Sequence, residues 1–206
     1  MGSQEGIKTM INLTAKQKFI LYGAILGDGF LQKTGSKNAR LRLEQGAKQK
    51  EYLFWKVGML SLLFQGKPRK VERIHPITKN QYSYWRHQSQ ANPFLGKLRN
   101  VFYPQGKKII PQNIEKYLNP ASLAVWYMDD GYYYLRDKCG YLYLGNVSQT
   151  EAETLQNALK NKFQLCVHWL KKKKGYAIYF PPTEMRKLKL LLKGLYLEQF
   201  NYKFPS

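Results

Sequence analysis

Two aspartate–glycine pairs, Asp28-Gly29 and Asp130-Gly131, stand 102 residues apart in this chain of 206. Each ends a stretch that reads as a helix: Leu21-Tyr22-Gly23-Ala24-Ile25-Leu26-Gly27-Asp28-Gly29 and Leu123-Ala124-Val125-Trp126-Tyr127-Met128-Asp129-Asp130-Gly131. The C-terminus of a helix carries a partial negative charge, so a carboxylate there costs about 0.3–1 kcal/mol, and Lys, Arg or His would suit the position better. The same misplacement twice implies an arriving cation. The free carbonyls of a helix end are oxygen ligands, and a hard divalent ion such as Mg²⁺ fits acids plus carbonyls. Gly23, Ala24 and Gly27 leave a groove on the first helix. If the two helices pack there, Asp28 and Asp130 meet, and shared metal relieves their repulsion. One Asp-Gly pair alone is an ordinary turn signal.

The elements that would carry these ends can be read from caps and periodicity. Thr14 and Gln17 form a capping box before a helix running to about Asp28. Asn38 to Glu44 alternates Ala39, Leu41 and Leu43 with Arg40 and Arg42, the pattern of a half-buried strand. Leu53, Val57, Leu60 and Phe64 predict a helix over 48–64. Lys70 to Ile74 and Gln81 to Gln88 read as strands around a turn, and Ala91 to Phe102 as a short helix. Asn119 caps a second long helix with Pro120 at its first position. Tyr132 to Arg136 and Gly140 to Val147 read as a hairpin, and Ser148 with Glu151 as another capping box. Leu155, Leu159 and Phe163 mark the helix that follows. Leu165 to Leu170 and Tyr176 to Phe180 flank the basic turn Lys171–Gly175, and Met185, Leu188, Leu192 and Leu195 mark a last helix. The order helix, hairpin, helix, hairpin, helix thus occurs twice. This predicts an α+β fold of two duplicated αββαββα units about a pseudo-twofold axis, in one monomeric chain. The expected halves are 13–105 and 119–206, joined by a linker at 106–118.

Charge names the partner class. The chain has 34 Lys+Arg against 13 Asp+Glu, a net +21, with 44% hydrophobic and 15% aromatic residues. That composition supports a core and excludes a disordered basic tail. So high a charge points to nucleic acid, with the basic strands as the contact surface. No apolar run approaches the roughly 20 residues a membrane-spanning helix needs, and residues 1–10 lack the apolar stretch of a secretory signal. Cys139 and Cys166 are too few for a disulfide framework or a zinc cluster and read as free thiols of a reducing compartment, an organellar matrix or stroma or a bacterial cytoplasm. His75, His87 and His168 share no metal-ligand spacing. Trp55, Trp126 and Trp169 sit on apolar faces and read as core.

LYGAILGDG and LAVWYMDDG together resemble the paired motifs of LAGLIDADG homing endonucleases in their monomeric two-motif form. Val125 and Asp129 stand where that family has small residues. The stretches GKKIIPQNIEKYLNPASLAVWYMDDG, NALKNKFQL and NYKFP resemble the subgroup containing the mitochondrial omega-intron endonuclease. The similarity runs from about Leu13 to Pro205. It implies a basic antiparallel sheet saddle over a central two-helix interface. It also implies site-specific double-strand cleavage of DNA with Mg²⁺, for which Mn²⁺ substitutes. The family's metal-binding acids fall on Asp28 and Asp130, with the Gly27 carbonyl and Asp129 as secondary ligands. Its active-site lysines fall on Lys108 and Lys203, with Lys107 a neighbouring alternative. Gln45 and Asn146, at the ends of equivalent strands, would hold the attacking water.

Sequence readout would come from the sheets, since a two-stranded ribbon fits the major groove. The candidate DNA-contacting residues are Arg40, Arg42, Gln81, Ser83, Arg86, Gln88, Tyr134, Arg136, Tyr141, Tyr143 and His168. Only about half can face DNA, because strand side chains alternate. Lys171, Lys172, Lys173 and Lys174 would touch phosphate. Two other readings share these residues: an intron-RNA maturase, and a DNA-binding protein that no longer cuts.

Overall fold

The computed structural model describes residues 12–205; the leader reading of residues 1–10 falls outside them. The first half is α1 (Ala15–Leu26), β1 (Phe30–Thr34), β2 (Asn38–Gly46), α2 (Lys50–Met59), β3 (Arg69–Ile74), β4 (Gln81–Gln88) and α3 (Pro93–Phe102). The second half repeats the order: α4 (Pro120–Asp130), β5 (Gly131–Tyr134), β6 (Cys139–Gly145), α5 (Gln149–Phe163), β7 (His168–Lys172), β8 (Gly175–Phe180) and α6 (Pro182–Leu192). Among the described residues no helix is long and apolar enough to cross a membrane.

The helix starts follow from their caps. Thr14 Oγ1 accepts from the Gln17 amide at 3.2 Å while Gln17 Oε1 accepts from the Thr14 amide at 3.0 Å. Asn119 and Ser122 form the same reciprocal pair ahead of α4, and Ser148 and Glu151 ahead of α5. The helix expected over 48–64 is shorter. Gly58 weakens the last turn of α2, Leu60 leaves helical geometry (φ −109°, ψ 28°), and short 3₁₀ turns flank the helix on both sides.

Each half forms one antiparallel four-stranded sheet, β1-β2-β4-β3 and β5-β6-β8-β7. Alternation buries Ala39, Leu41, Leu43 and Gln45 beneath the first sheet and leaves Arg40, Arg42 and Glu44 on its open face. The register Arg42↔Gln88 and Glu44↔Arg86 puts Gln88 and Arg86 on that same face. Gln81 and Ser83 therefore lie on the opposite face, contrary to their expected DNA contact. Strand β5 ends at Tyr134, and Arg136 belongs to the following turn, paired with Asp137 at 2.9 Å. Strand β7 runs through Lys171 and Lys172, so the basic turn narrows to Lys173 and Lys174.

Between the sheets α1 packs directly on α4. Leu21, Ala24 and Ile25 meet a partner helix whose Leu123, Ala124, Val125 and Met128 are equally buried. Gly23 is needed for this approach, because a Cβ there would collide with the Ser122 carbonyl and lie 2.8 Å from Val125 Cβ.

Candidate active site

The two helix ends are not twins. Asp130 is the last helical residue of α4, as its sequence suggests. Helix α1, however, stops at Leu26 with Gly27 as its cap (φ −82°, ψ −130°), so Asp28 stands two residues beyond the helix. The chain there turns into β1, with the Gly29 amide donating to the Ala24 carbonyl at 2.7 Å. A Cβ on Gly29 would strike that carbonyl, just as one on Gly131 would strike that of Tyr127.

Asp28 is held by its neighbours. Gln45, buried at the end of β2, donates its amide to Asp28 Oδ2 at 3.1 Å and to Asp129 Oδ1 at 3.3 Å. Asp129 Oδ2 accepts from the Asp28 backbone amide at 3.1 Å. Asp129 itself is fully enclosed and pairs with Lys56 Nζ at 2.6 Å, both side chains having no exposure. Burial pushes the Asp129 carboxyl up from its ordinary value and Lys56 opposes the shift. Asp129 is thus committed to the protein interior rather than turned outward as an open ligand, and Gln45 is committed to carboxylates. Gly27, the counterpart of Asp129 on the other helix, is the space that carboxylate occupies; a Cβ there would fall against Asp129.

Sequence reasoning missed Lys56, because a lysine among apolar helical positions ordinarily reads as a solvated face. Its spacing carried a signal: Lys56 follows Tyr52 by four and Leu53 by three, and both are buried. Its ammonium group sits 4.1 Å from the Tyr52 ring centre. The equivalent face of α5 is apolar throughout, built from Ala152, Leu155, Ala158 and Leu159.

Asp130 faces a cavity of about 450 Å³ with Gly27, Lys107, Lys108, Tyr143 and Asn146 in its lining. Burial raises its carboxyl from the usual carboxylate range to about 7, with Asp28 and Asp129 adding to the rise and Lys108 opposing it. An acid raised by burial and by two neighbouring acids favours the approach of a cation, and acids beside backbone carbonyls are hard oxygen donors. Among the described residues no three His, Cys, Asp or Glu side chains converge as a metal cage. Asp28 and Asp130 would therefore need carbonyl and substrate oxygens to complete a coordination shell.

One lysine serves each helix end. Lys108 Nζ donates to the Gly27 carbonyl. Lys203 Nζ donates to the carbonyls of Met128 at 2.6 Å and Asp129 at 3.2 Å. Burial lowers the proton affinity of both, and the three acids pull the other way. Lys107 lines the cavity but is exposed. Asn146 is exposed at the cavity mouth, just past β6. On the open sheet faces, Arg40, Arg42, Arg86 and Gln88 share the first, while Tyr134, Tyr141, Tyr143, His168 and Lys172 share the second.

Comparison with known proteins agrees with this architecture. The chain is 35% identical to the RecA protein of Mycobacterium gastri over 61% of its own length, but spans only 29% of that protein. It is 27% identical to the DNA endonuclease I-ChuI of Chlamydomonas applanata, covering 94% of this chain and 96% of the relative. The solved structure of the homing endonuclease I-WcaI bound to its DNA recognition sequence superimposes with a TM-score of 0.88 at 26% identity, covering 98% of this chain and 94% of the other. A model of the LAGLIDADG DNA endonuclease family matches residues 18–188, and with both motifs at the ends of two packed helices the chain belongs to that family.

Proposed function

We propose that the protein is a monomeric, site-specific double-strand DNA endonuclease whose catalytic centres are built from Asp28 and Asp130 together with Lys108 and Lys203. The observation that carries this reading is the convergence of two acids and two shielded lysines at adjoining helix ends between the two sheets. Asp28 and Asp130 would hold divalent metal with the neighbouring Gly27 and Asp129 carbonyls, and Mg²⁺, or Mn²⁺ in its place, suits these oxygens. When bound, the metal neutralises phosphate charge and lowers the pKa of water.

The chain's own residues do the rest. Lys108 and Lys203, already at the helix-end carbonyls, present positive charge where negative charge develops on the phosphate. Their lowered proton affinity also lets either help move a proton to or from solvent. Gln45 orients the Asp28 carboxylate, and Lys56 through Asp129 fixes the backbone that carries it. Asn146, at the open side of the Asp130 cavity, is placed to orient solvent. The sheets dock a DNA half-site each, so that one duplex lies across both centres and each strand meets one of them.

The test is strand-resolved cleavage of a selected target by Asp28→Asn and Asp130→Asn. Each substitution should slow double-strand cutting by roughly 10²-fold or more while binding in Ca²⁺ persists. A variant that cuts both strands at the wild-type rate would remove that acid from the mechanism. Tight binding to intron RNA with no DNA cut under any metal would favour the maturase reading.

A further inference from the structure

The two open sheet faces are made of different chemistry. On the second sheet, Tyr132, Tyr134, Tyr141, Tyr143 and Tyr179 form a continuous mat. Successive ring centres are 4.6 Å (Tyr132–Tyr134), 5.3 Å (Tyr134–Tyr141), 6.0 Å (Tyr141–Tyr143) and 5.3 Å (Tyr141–Tyr179) apart. The Tyr134 and Tyr143 hydroxyls bond to each other at 3.3 Å, and Lys172 Nζ lies 3.9 Å from the Tyr141 ring centre. Each ring touches at least one neighbour, and Tyr141 touches three, so the mat is ordered before anything binds. Tyr143 also lines the Asp130 cavity, so the mat continues into the candidate catalytic centre.

The first sheet is polar where the second is aromatic. Glu44 accepts from Arg86 Nε at 2.6 Å and lies 3.9 Å from Arg42 Nε. Arg40 reaches Gln88 at 3.5 Å. Gln32 Oε1, Thr34 Oγ1, Arg40 Nε and the Tyr84 hydroxyl on this face are shielded from solvent yet have no hydrogen-bond partner. Among the described residues no side-chain atom on the second sheet's open face is left in that state. The first face is a hydrogen-bonding surface of arginine, glutamate and amide groups, and the second is a surface of packed rings.

We propose that the two sheets read their half-sites by different chemistry. The tyrosine mat recognises a thymine-rich half-site through ring contact with C5 methyl groups, and the first sheet hydrogen-bonds guanine and cytosine edges. This rests on the endonuclease reading above. The major groove supports the division: arginine pairs bidentately with guanine O6 and N7, a carboxylate accepts from cytosine N4, and thymine alone offers a methyl group. The net charge of +21 attracts any duplex, so base preference must come from these short-range differences.

The experiment is selection of bound sites from a random DNA library by the full chain in Ca²⁺, followed by uracil-for-thymine replacement in each half of the selected site. Arg40→Ala orients the site by relaxing selection in the half beneath the first sheet. The expected result is thymine excess in the other half, where removing a contacted methyl weakens binding about fourfold. Replacement in the first half leaves affinity nearly unchanged. Tyr132→Ser and Tyr134→Ser, both at exposed positions, should weaken the thymine site and abolish the uracil effect, whereas Tyr134→Phe should keep it. Equal uracil losses in both halves, guanine enrichment beneath the tyrosines, or a uracil effect that survives both serine variants would each overturn the proposal. Failure to select any DNA motif would instead overturn the endonuclease reading itself.

Discussion

Asp130 is the residue whose environment makes the sharpest demand. Its carboxyl is raised to about 7, first by burial and then by Asp28 and Asp129. A raised acid binds more protons folded than unfolded between about pH 4 and 7, so metal-free stability falls as pH rises through that window. Asp130→Asn removes the penalty. Metal-free melting should show the variant's gain over wild type growing as pH rises from about 4 and levelling off above about 7, and a gain independent of pH would contradict the assigned environment. Metal must displace that proton, so divalent-ion affinity should climb up to about pH 7 and level off above it. Lys56 makes a second test at this scale. Removing it by Lys56→Met leaves Asp129 charged and buried without a cation, a loss of about 3–5 kcal/mol by urea unfolding. A cost below about 1 kcal/mol would show that Asp129 is neutral in the native state. The candidate acids were legible because a carboxylate before glycine at a helix end is physically odd, although only Asp130 proved to be the last residue of its helix. Asp129 was legible only as a residue, since its burial depends on Lys56, a helix from elsewhere in the chain, and on the hole left by Gly27.

At the scale of elements, the helix pair depends on room. A Cβ on Gly27 would meet the Asp129 carboxylate. Gly27→Ala should therefore cost about 1–3 kcal/mol and lower cleavage. Thermal unfolding of the variant checks this, and a neutral Gly27→Ala would mean the helices can spread. Caps and apolar periodicity located every helix to within a few residues, because both are local signals. Strand faces were less legible. Gln81, Ser83, Arg86 and Gln88 were candidates of which alternation let only half face DNA, and the register with β2 decides that Arg86 and Gln88 are that half. Arg136 was assigned to a strand for the same reason: nothing in Tyr132 to Arg136 marks the turn that begins after Tyr134.

At the scale of the whole molecule, duplication explains what the sequence disclosed and what it hid. Two copies of one unit made the fold readable from a 102-residue offset, and the superposition on I-WcaI extends over 98% of the chain. The departures from symmetry were invisible to that reasoning: a buried ion pair between the halves, Lys56 with Asp129, that has no pseudo-symmetric counterpart among the described residues, and sheet faces of different character. Lys173 and Lys174 form an exposed turn beyond the second sheet. Changing either to Gln should lower the slope of log affinity against log salt by about one without altering base preference. An unchanged slope would place the turn away from phosphate. The most direct measurement is cleavage of a complex DNA pool with Mg²⁺, beside Ca²⁺ and Asp130→Asn controls, with every end sequenced. Recurrent double-strand breaks at one long motif, seen with Mg²⁺ and missing from both controls, are the predicted result. Tight binding to a motif in that pool with no break under Mg²⁺ would contradict the assignment of these residues to catalysis.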